Sequence, residues 1–507
     1  MKRSNRTEPR GRQLRPLKKL IAAALLGLSA IQVQADTLWD IYTQALENDP
    51  ELAADRAAYH AGIEAKYQSR AFLLPQVEAS YQAFRDHSYS ALNSFQLVDV
   101  SEEGEEEDIQ LLDFRNRTST SLQERSYGAT LNQAIFDAPA WFDYQQGKRL
   151  TEQATAEFSA NQQGMMIRVA TAYFDVLRAY DVLEAAISEE QALAKQLEQT
   201  QQRFEVGLTA ITDVYDSQAA YDSSVARRLT AQDDLLSNFD ALSVLTGGYH
   251  DEVSPLVDDF QVAAPVPAER AEWVDFALAN NFVLKAARLG SDAARYNARA
   301  EASEHLPTVS GTLSYSNFSA DGKQRTRASD ATGTQFTRFP QESDQWETRA
   351  GITVSVPLFT GGLLSANRRQ ARNQAFQAED LSILAERDTI QTTRTLHRAV
   401  VTDVSRVAAR EQAVVSAKSA LDATQAGYEV GTRNIVDVLL AQRTLFLAET
   451  DYANSLYDYI LNSLSLKQAA GLLSPKDLQE LDLKLNPANH VMRVAETGGT
   501  SLPSLSK

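Results

Sequence analysis

The 507-residue chain contains no cysteine, which removes disulfides, thiolate metal sites, thiol nucleophiles and a lipid-modified N-terminal cysteine together. Histidine is nearly as scarce. The six, His60, His87, His250, His305, His397 and His490, include no pair four apart on a helix, so no helical metal dyad forms. Scattered in this way, they read as surface or interface residues. No phosphate loop and no nucleophile elbow is present, so the expectation is a protein that is no enzyme and uses no cofactor. Positive charge is also short: 49 Lys and Arg face 67 Asp and Glu, for a net −18. The first 35 residues carry eight basic groups and one acid, which leaves the remainder at −25. So acidic a chain repels phosphate, and nucleic acid is excluded as a partner. With 43% hydrophobic residues it is not a disordered chain either.

Long apolar runs are missing except one. Residues 2–19 are basic, 20–31 are apolar, and Val33-Gln34-Ala35 offers small residues for cleavage. A membrane anchor needs about 20 apolar residues, so residues 1–35 read as a secretory signal peptide. The mature chain is then exported, and any membrane insertion falls to strands.

Proline breaks helices, and none of the 14 prolines falls within 140–254 or 358–474. In the first stretch Val169, Tyr173, Val176, Tyr180, Leu183 and Ile187 form one apolar stripe at steps of four and three. In the second, Leu445, Tyr452, Tyr459 and Leu466 repeat every seventh residue, with the small Ala448, Ser455, Asn462 and Ala469 three later. Each stretch is interrupted once, at Phe204-Glu-Val-Gly207 and at Tyr428-Glu-Val-Gly431, which predicts two helical hairpins with unequal arms. The longer arm of the first would reach roughly 100 Å.

The two interruptions expose a repeat. Phe204–Gln218 and Tyr428–Gln442 share seven of fifteen positions, far above chance. Leu74-Pro75 and Leu306-Pro307, Phe136 and Phe359, and Gly247 and Gly471 extend it. The chain therefore divides into a first repeat (36–254), a linker (255–270), a second repeat (271–474) and a C-terminal tail (475–507). Between Pro75 and Phe136, and between Pro307 and Phe359, the period becomes two. Ile352, Val354, Val356 and Leu358 alternate with Gly351, Thr353, Ser355 and Pro357, and Ala129, Leu131, Gln133 and Ile135 alternate with Thr130, Asn132 and Ala134. Each repeat is thus expected to carry a pair of strands of about ten residues, either outer-membrane strands or a water-soluble hairpin. Long polar loops should join them, one holding the acidic run 101–108, which reads as a solvated loop with a cation-binding surface as the alternative. Four membrane strands cannot close a barrel, so several copies must contribute to one.

The segments Arg203-Phe-Glu-Val-Gly-Leu-Thr-Ala-Ile-Thr-Asp213-Val and Gly427-Tyr-Glu-Val-Gly-Thr-Arg433-Asn-Ile-Val-Asp437-Val resemble the two hairpin tips of the TolC family of outer-membrane efflux ducts, in its non-lipidated branch. The resemblance implies a mixed α and β membrane protein. It would be a trimeric 12-stranded outer-membrane β-barrel, four strands per chain, continued by a long periplasmic α-helical coiled-coil barrel. It implies the exit duct of a tripartite efflux or type I secretion system in the outer membrane. Its partners would be two further copies of itself, outer-membrane lipid, a periplasmic adaptor and an inner-membrane pump of RND or ABC type. By resemblance, Thr212, Asp213, Tyr428 and Arg433 are gate contacts and Asp437 lines the pore constriction. Val206, Gly207 and Leu208, with Val430, Gly431 and Thr432, are the adaptor-docking turns. A carboxylate at Asp213 could pair with Arg433 and accept from Tyr428. The alternative for Asn434 and Asp437 is an N-cap pair; the first tip has Ala210 where the second has Asn434. The chain departs from the family where a second acidic ring is expected: Leu440 stands there, and its repeat counterpart is Asp216. An exported coiled-coil spacer or adaptor of the cell envelope remains the other reading of the residues alone.

Overall fold

A computed structural model describes residues 35–99, 101, 108–257, 259–330, 333–487 and 489–493. The signal segment and the acids at 102–107 lie outside the described residues. The first half runs α1 (Leu38–Asn48), α2 (Pro50–Ile63), α3 (Ala65–Ala71), β1 (Gln76–Asp99), β2 (Ile109–Phe136), α4 (Ala138–Glu205) and α5 (Ile211–Thr246). After a two-residue strand β3 (Glu252–Val253) the order recurs. It runs α6 (Arg270–Asn280), α7 (Phe282–Ser303), β4 (Thr308–Asp330), β5 (Gly333–Ser355), α8 (Leu363–Glu429) and α9 (Ile435–Ala469). A short α10 (Pro475–Asp482) and β6 (Val491–Met492), paired with β3, end it. The recurrence reaches the caps: Asp49 caps α2 through the Glu51 N–H, and Asn281 caps α7 through the Leu284 N–H.

Both hairpins form where proline is absent. Their long arms are 68 and 67 residues, their short arms 36 and 35. At 1.5 Å per residue the long arms extend about 100 Å. The core sits at mid-length, where Leu38 and Ile41 of α1 meet Tyr173, Phe174 and Leu177 of α4, Leu235 and Phe239 of α5, and Ile460 and Leu464 of α9. Of the expected stripe in α4, Val169, Tyr173, Val176 and Leu183 are buried, while Ile187 is exposed. Towards the tip the packing changes character. There the α4–α5 seam is made of Gln196, Thr200, Ser217 and Ser224, all buried, with the Ser217 hydroxyl 3.4 Å from Thr200 Oγ1.

Ion pairs cross the first hairpin at equal distance from its turn. Arg227 on α5 grips the buried Glu189 on α4 with two bonds of 2.9 and 2.8 Å, and Arg228 meets Glu190. Between the halves, the Tyr457 hydroxyl donates to Asp181 Oδ2 at 2.7 Å. Burial raises the Asp181 carboxyl to about 6, the Tyr457 bond opposing the shift.

The four long strands form one antiparallel sheet in the order β1-β2-β4-β5, with β1 and β5 as free edges. Two expectations are corrected here. The strands are 24, 28, 23 and 23 residues long, not about ten. The stretches expected as long polar loops are mostly strand, β4 ending at Asp330 and β5 starting at Gly333. β5 ends at Ser355, so Val356 and Leu358 lie past it. The second correction concerns histidine. His250 and His397 are buried, not superficial. The His250 ring bonds Asp36 Oδ2 and Thr246 Oγ1, each at 2.6 Å, and His397 Nε2 reaches the Ala268 carbonyl at 3.1 Å.

Register fixes what each sheet face carries. Tyr81, Tyr127, Asn317 and Trp346 stand in one row, and below it on the same face lie Val77, Leu131, Leu313 with Tyr315, and Ile352 with Val354. The tyrosines, Trp346, Val77, Leu313, Ile352 and Val354 are exposed. The opposite face carries Ser80, Thr130, Asn132, Thr312, Ser314 and Thr353. From Tyr127 to Ile135 the apolar band runs about 27 Å along the strand, or about 21 Å in height once a strand tilt of about 40° is allowed for. Beyond the row the same face turns polar at Arg125 and Ser319.

Candidate functional site

The site follows from how the two long helices stop. At the first tip the Gly207 N–H bonds the Phe204 carbonyl at 2.9 Å and the Leu208 N–H bonds Arg203 at 2.8 Å. At the second, Gly431 bonds Tyr428 at 3.1 Å and Thr432 bonds Gly427 at 2.8 Å. These are paired Schellman stops, and both glycines sit at positive φ, 77° and 79°. Nothing lies within 4 Å of where a Cβ would project from either, so the turns are open to the outside. Around them Val206, Leu208 and Val430 are 69%, 69% and 76% exposed, an apolar cluster without cover in the chain.

The second tip restarts with a capping box: Asn434 Oδ1 accepts from the Asp437 N–H at 2.8 Å, and Asp437 Oδ2 accepts from the Asn434 N–H at 3.4 Å. Arg433 Nη1 lies 3.8 Å from Asp437 Oδ2, both side chains in solvent, so the pair is weakly held. The first tip, starting at Ala210, has no side-chain cap. There the Thr209 hydroxyl donates to Asp213 Oδ2 in a short contact, and Thr212 Oγ1 lies 3.5 Å from the other oxygen. Gly427 gives Arg433 its seat: a Cβ there would come 2.8 Å from Arg433 Cγ.

Within one chain the structure therefore brings Arg433 to Asp437 and Asp213 to Thr209, and does not bring Asp213 to Arg433 or Tyr428. Tyr428 is buried among Ile435, Val438, Leu421 and Leu439. Its ring lies under the Arg203 guanidinium, 4.6 Å from centroid to Cζ, and joins the two tips of the same chain. The Tyr428 hydroxyl and Arg203 Nε are both buried without a hydrogen-bond partner. Sequence reasoning missed Arg203. The available signal was the repeat itself, since Arg203 aligns with Gly427 and is the bulky exception. Leu440 is 64% exposed and Asp216 is exposed, on different hairpins. Among the described residues no cluster of three His, Asp or Glu is placed to hold a metal ion, and no helix is long and apolar enough to cross a membrane.

Comparison with known proteins gives a consistent result. The model of the outer membrane efflux protein family matches residues 41–248 and 273–472. Outer membrane protein TolC of Vibrio cholerae is 36% identical over 480 residues, covering 94% of this chain and all of that protein. Alkaline protease secretion protein AprF of Pseudomonas aeruginosa is 29% identical, covering 94% of this chain and 92% of its own length. The crystal structure of the Campylobacter jejuni CmeC outer membrane channel superposes with a TM-score of 0.66 over 95% of this chain and 98% of that one; at 14% identity this speaks to fold alone.

Proposed function

The chain belongs to the outer membrane efflux protein family, and on that premise we propose that it is the outer-membrane exit duct of a tripartite efflux or type I secretion system. The observation that carries the reading is the sheet. It pairs an exposed apolar face, bounded by a row of Tyr81, Tyr127 and Trp346, with a polar opposite face and two unpaired edges. In hydrocarbon an unpaired edge costs several kcal/mol per group. Three copies joining β5 to the next β1 give twelve strands, antiparallel throughout, with the polar face inward. The helical hairpins, several times longer than the bilayer core, then continue the duct into the periplasm.

At the periplasmic end the tips form the gate. Asp213 and Thr212 of one chain face Arg433 of the next, Arg203 and Tyr428 hold the two tips of each chain together, and three Asp437 carboxylates ring the pore. A ring of carboxylates favours cations in transit. The exposed Val206, Leu208 and Val430, with Gly207, Gly431 and Thr432, dock a periplasmic adaptor, which links the duct to an RND or ABC pump. Residues 1–35 are the export signal, 36–254 and 271–474 the two repeats, 255–270 the linker and 475–507 the tail. A coiled-coil spacer, by contrast, leaves the exposed apolar sheet face without a use. The test is fractionation of cells expressing the full chain, with gel mobility read before and after heating. Heat-dissociable trimers in the outer membrane are expected; a stable soluble monomer after signal removal refutes the reading.

A further inference from the structure

The sheet face that carries the apolar band changes character away from the helices, above the row of Tyr81, Tyr127 and Trp346. The next row on that face holds Arg125 and Asp344, and the one after it Arg85, Asp321 and Glu342, so the two signs are mixed there. In the three rows that follow the acids stop. These hold Lys323 with His87, then Arg325 directly opposite Arg338, then Arg117 directly opposite Arg327. All five of these Lys and Arg side chains are exposed. The Thr118 and Thr326 hydroxyls meet at 3.3 Å on the other face, which sets Arg117 and Arg327 side by side on this one. Like charges directly opposite on one face are destabilising unless an anion lies between them. Among the described residues none of the five has an ion pair with a carboxylate; Arg327 instead lies over the Phe336 ring, 5.3 Å from its centroid. Elsewhere on the same sheet arginines are matched: Arg115 pairs with Asp113 at 2.9 Å, and Arg349 on the other face with Glu347 at 2.7 Å. Five uncompensated cations in one patch stand out in a chain of net charge −18.

Height narrows what the missing anion is. With about 3.4 Å per residue and a tilt of about 40°, Lys323 stands about 16 Å above the aromatic row and Arg327 about 26 Å. Phospholipid headgroups add only about 5–8 Å to each side of the hydrocarbon. Their phosphates therefore reach the level where Arg125 and Arg85 are already matched by Asp344, Asp321 and Glu342, and stop short of the patch. A headgroup of several sugars spans the remaining distance. Four of the five cations are arginines, whose planar fork takes two phosphate oxygens at once.

We propose that Arg117, Lys323, Arg325, Arg327 and Arg338 form a binding site for the sugar phosphates of a glycolipid in the outer leaflet. One such molecule lays its acyl chains on the apolar band around Tyr127 and Val354 and its phosphorylated sugars against the arginines above. The phosphates separate Arg325 from Arg338 and Arg117 from Arg327, and turn two repulsive pairs into anchored ones. This rests on the outer-membrane barrel reading above, in which the strand ends far from the helices face the exterior, and deepens it by naming the lipid chemistry that the wall recognises.

The test uses the full chain, extracted from outer membranes in detergent and stripped of lipid, with occupancy and oligomeric mass read together by native mass spectrometry. Four probes are offered: lipopolysaccharide with a phosphorylated core, the same material with the core dephosphorylated, lipid A alone, whose sugars end below the patch, and phosphatidylglycerol. The phosphorylated core form is expected to bind at least tenfold more tightly than each of the others. Arg325→Gln with Arg338→Gln should remove that tenfold and leave lipid A binding unchanged, and Lys323→Gln with Arg327→Gln should act in the same direction. Arg349→Gln, on the other face, should change neither. Equal affinity for lipid A overturns the height assignment, and equal affinity for the dephosphorylated form overturns the role of phosphate. Phosphatidylglycerol bound as tightly as the phosphorylated core form reduces the patch to a general anion surface and overturns the glycolipid. Wild-type affinity in both glutamine variants overturns the residues named. A wild-type chain that never enters the outer membrane and stays a soluble monomer refutes the barrel reading instead, a failure that the mass and the fractionation show before any lipid is added.

Discussion

Removing the Arg203 guanidinium should loosen the closed tips. The cation stacks 4.6 Å from the Tyr428 centroid, and Tyr428 is only 6% exposed, so the contact is largely desolvated. Such contacts contribute about 1–2 kcal/mol. Summed over three chains this is about 3–6 kcal/mol, or a factor of roughly a hundred to ten thousand between closed and open populations. The perturbation is Arg203→Met, which keeps length and removes charge, with Tyr428→Leu as its partner in a double-mutant cycle. The cycle matters because Arg203 Nε is buried unpaired, and deleting it also relieves a desolvation cost. The assay is open probability and conductance of single channels in planar bilayers. Each single variant should open the duct, and the double variant should open it by less than the sum. Wild-type gating in Arg203→Met, or strict additivity in the double variant, refutes the claim that this stack joins the tips.

Three further outcomes are expected. Asp181 has a folded value near 6, above its unfolded one, so it binds its proton more tightly in the folded chain. The stability this lends is complete below about pH 4 and is lost as pH rises through 6, a difference of about 3 kcal/mol. Asp181→Asn should flatten thermal or denaturant stability across that window and raise it at pH 7, with the Tyr457 bond retained. Asp437→Asn keeps an acceptor for the Asn434 N–H while removing charge; it should weaken cation preference as much as Asp437→Ala, but only the alanine variant should lose about 1 kcal/mol of helix-start stability, read by amide exchange. Gly431→Asn should be tolerated better than Gly431→Val in amide exchange at the tip, since the position needs positive φ but has open space for a side chain.

The helical half of the molecule was legible because its signals are periodic and punctuated. Missing prolines bounded both hairpins to within eight residues, and the Glu-Val-Gly pairs located both turns. Strand length was not legible. Past Tyr127 and Trp346 polar residues sit on both faces of the sheet, as at Thr118, Ser119 and Thr120, and scattered apolar ones such as Phe84 and Tyr89 fall on either face, so period two leaves no contrast to read and the strands resemble loops. At the tips the capping box of Asn434 and Asp437 was legible from its three-residue spacing. The stack of Arg203 on Tyr428 was not, because it joins positions 225 residues apart and a cation over a ring has no spacing of its own. His250 escaped for the same reason: its partner Asp36 lies 214 residues away.

The seam between α4 and α5 changes from Tyr173, Phe174, Phe239 and Leu242 at mid-length to Gln196, Thr200, Ser217 and Ser224 near the turn. Mechanically, the first hairpin is a rod clamped at its waist and compliant at its free end, whereas the second keeps an apolar cluster of Tyr428, Ile435 and Val438 at its turn. Small hydroxyls exchange partners with water at little cost, whereas separating the aromatic middle exposes apolar surface at about 25 cal/mol per Å². A force applied at the first turn therefore bends the last few helical turns of that hairpin before it strains the waist.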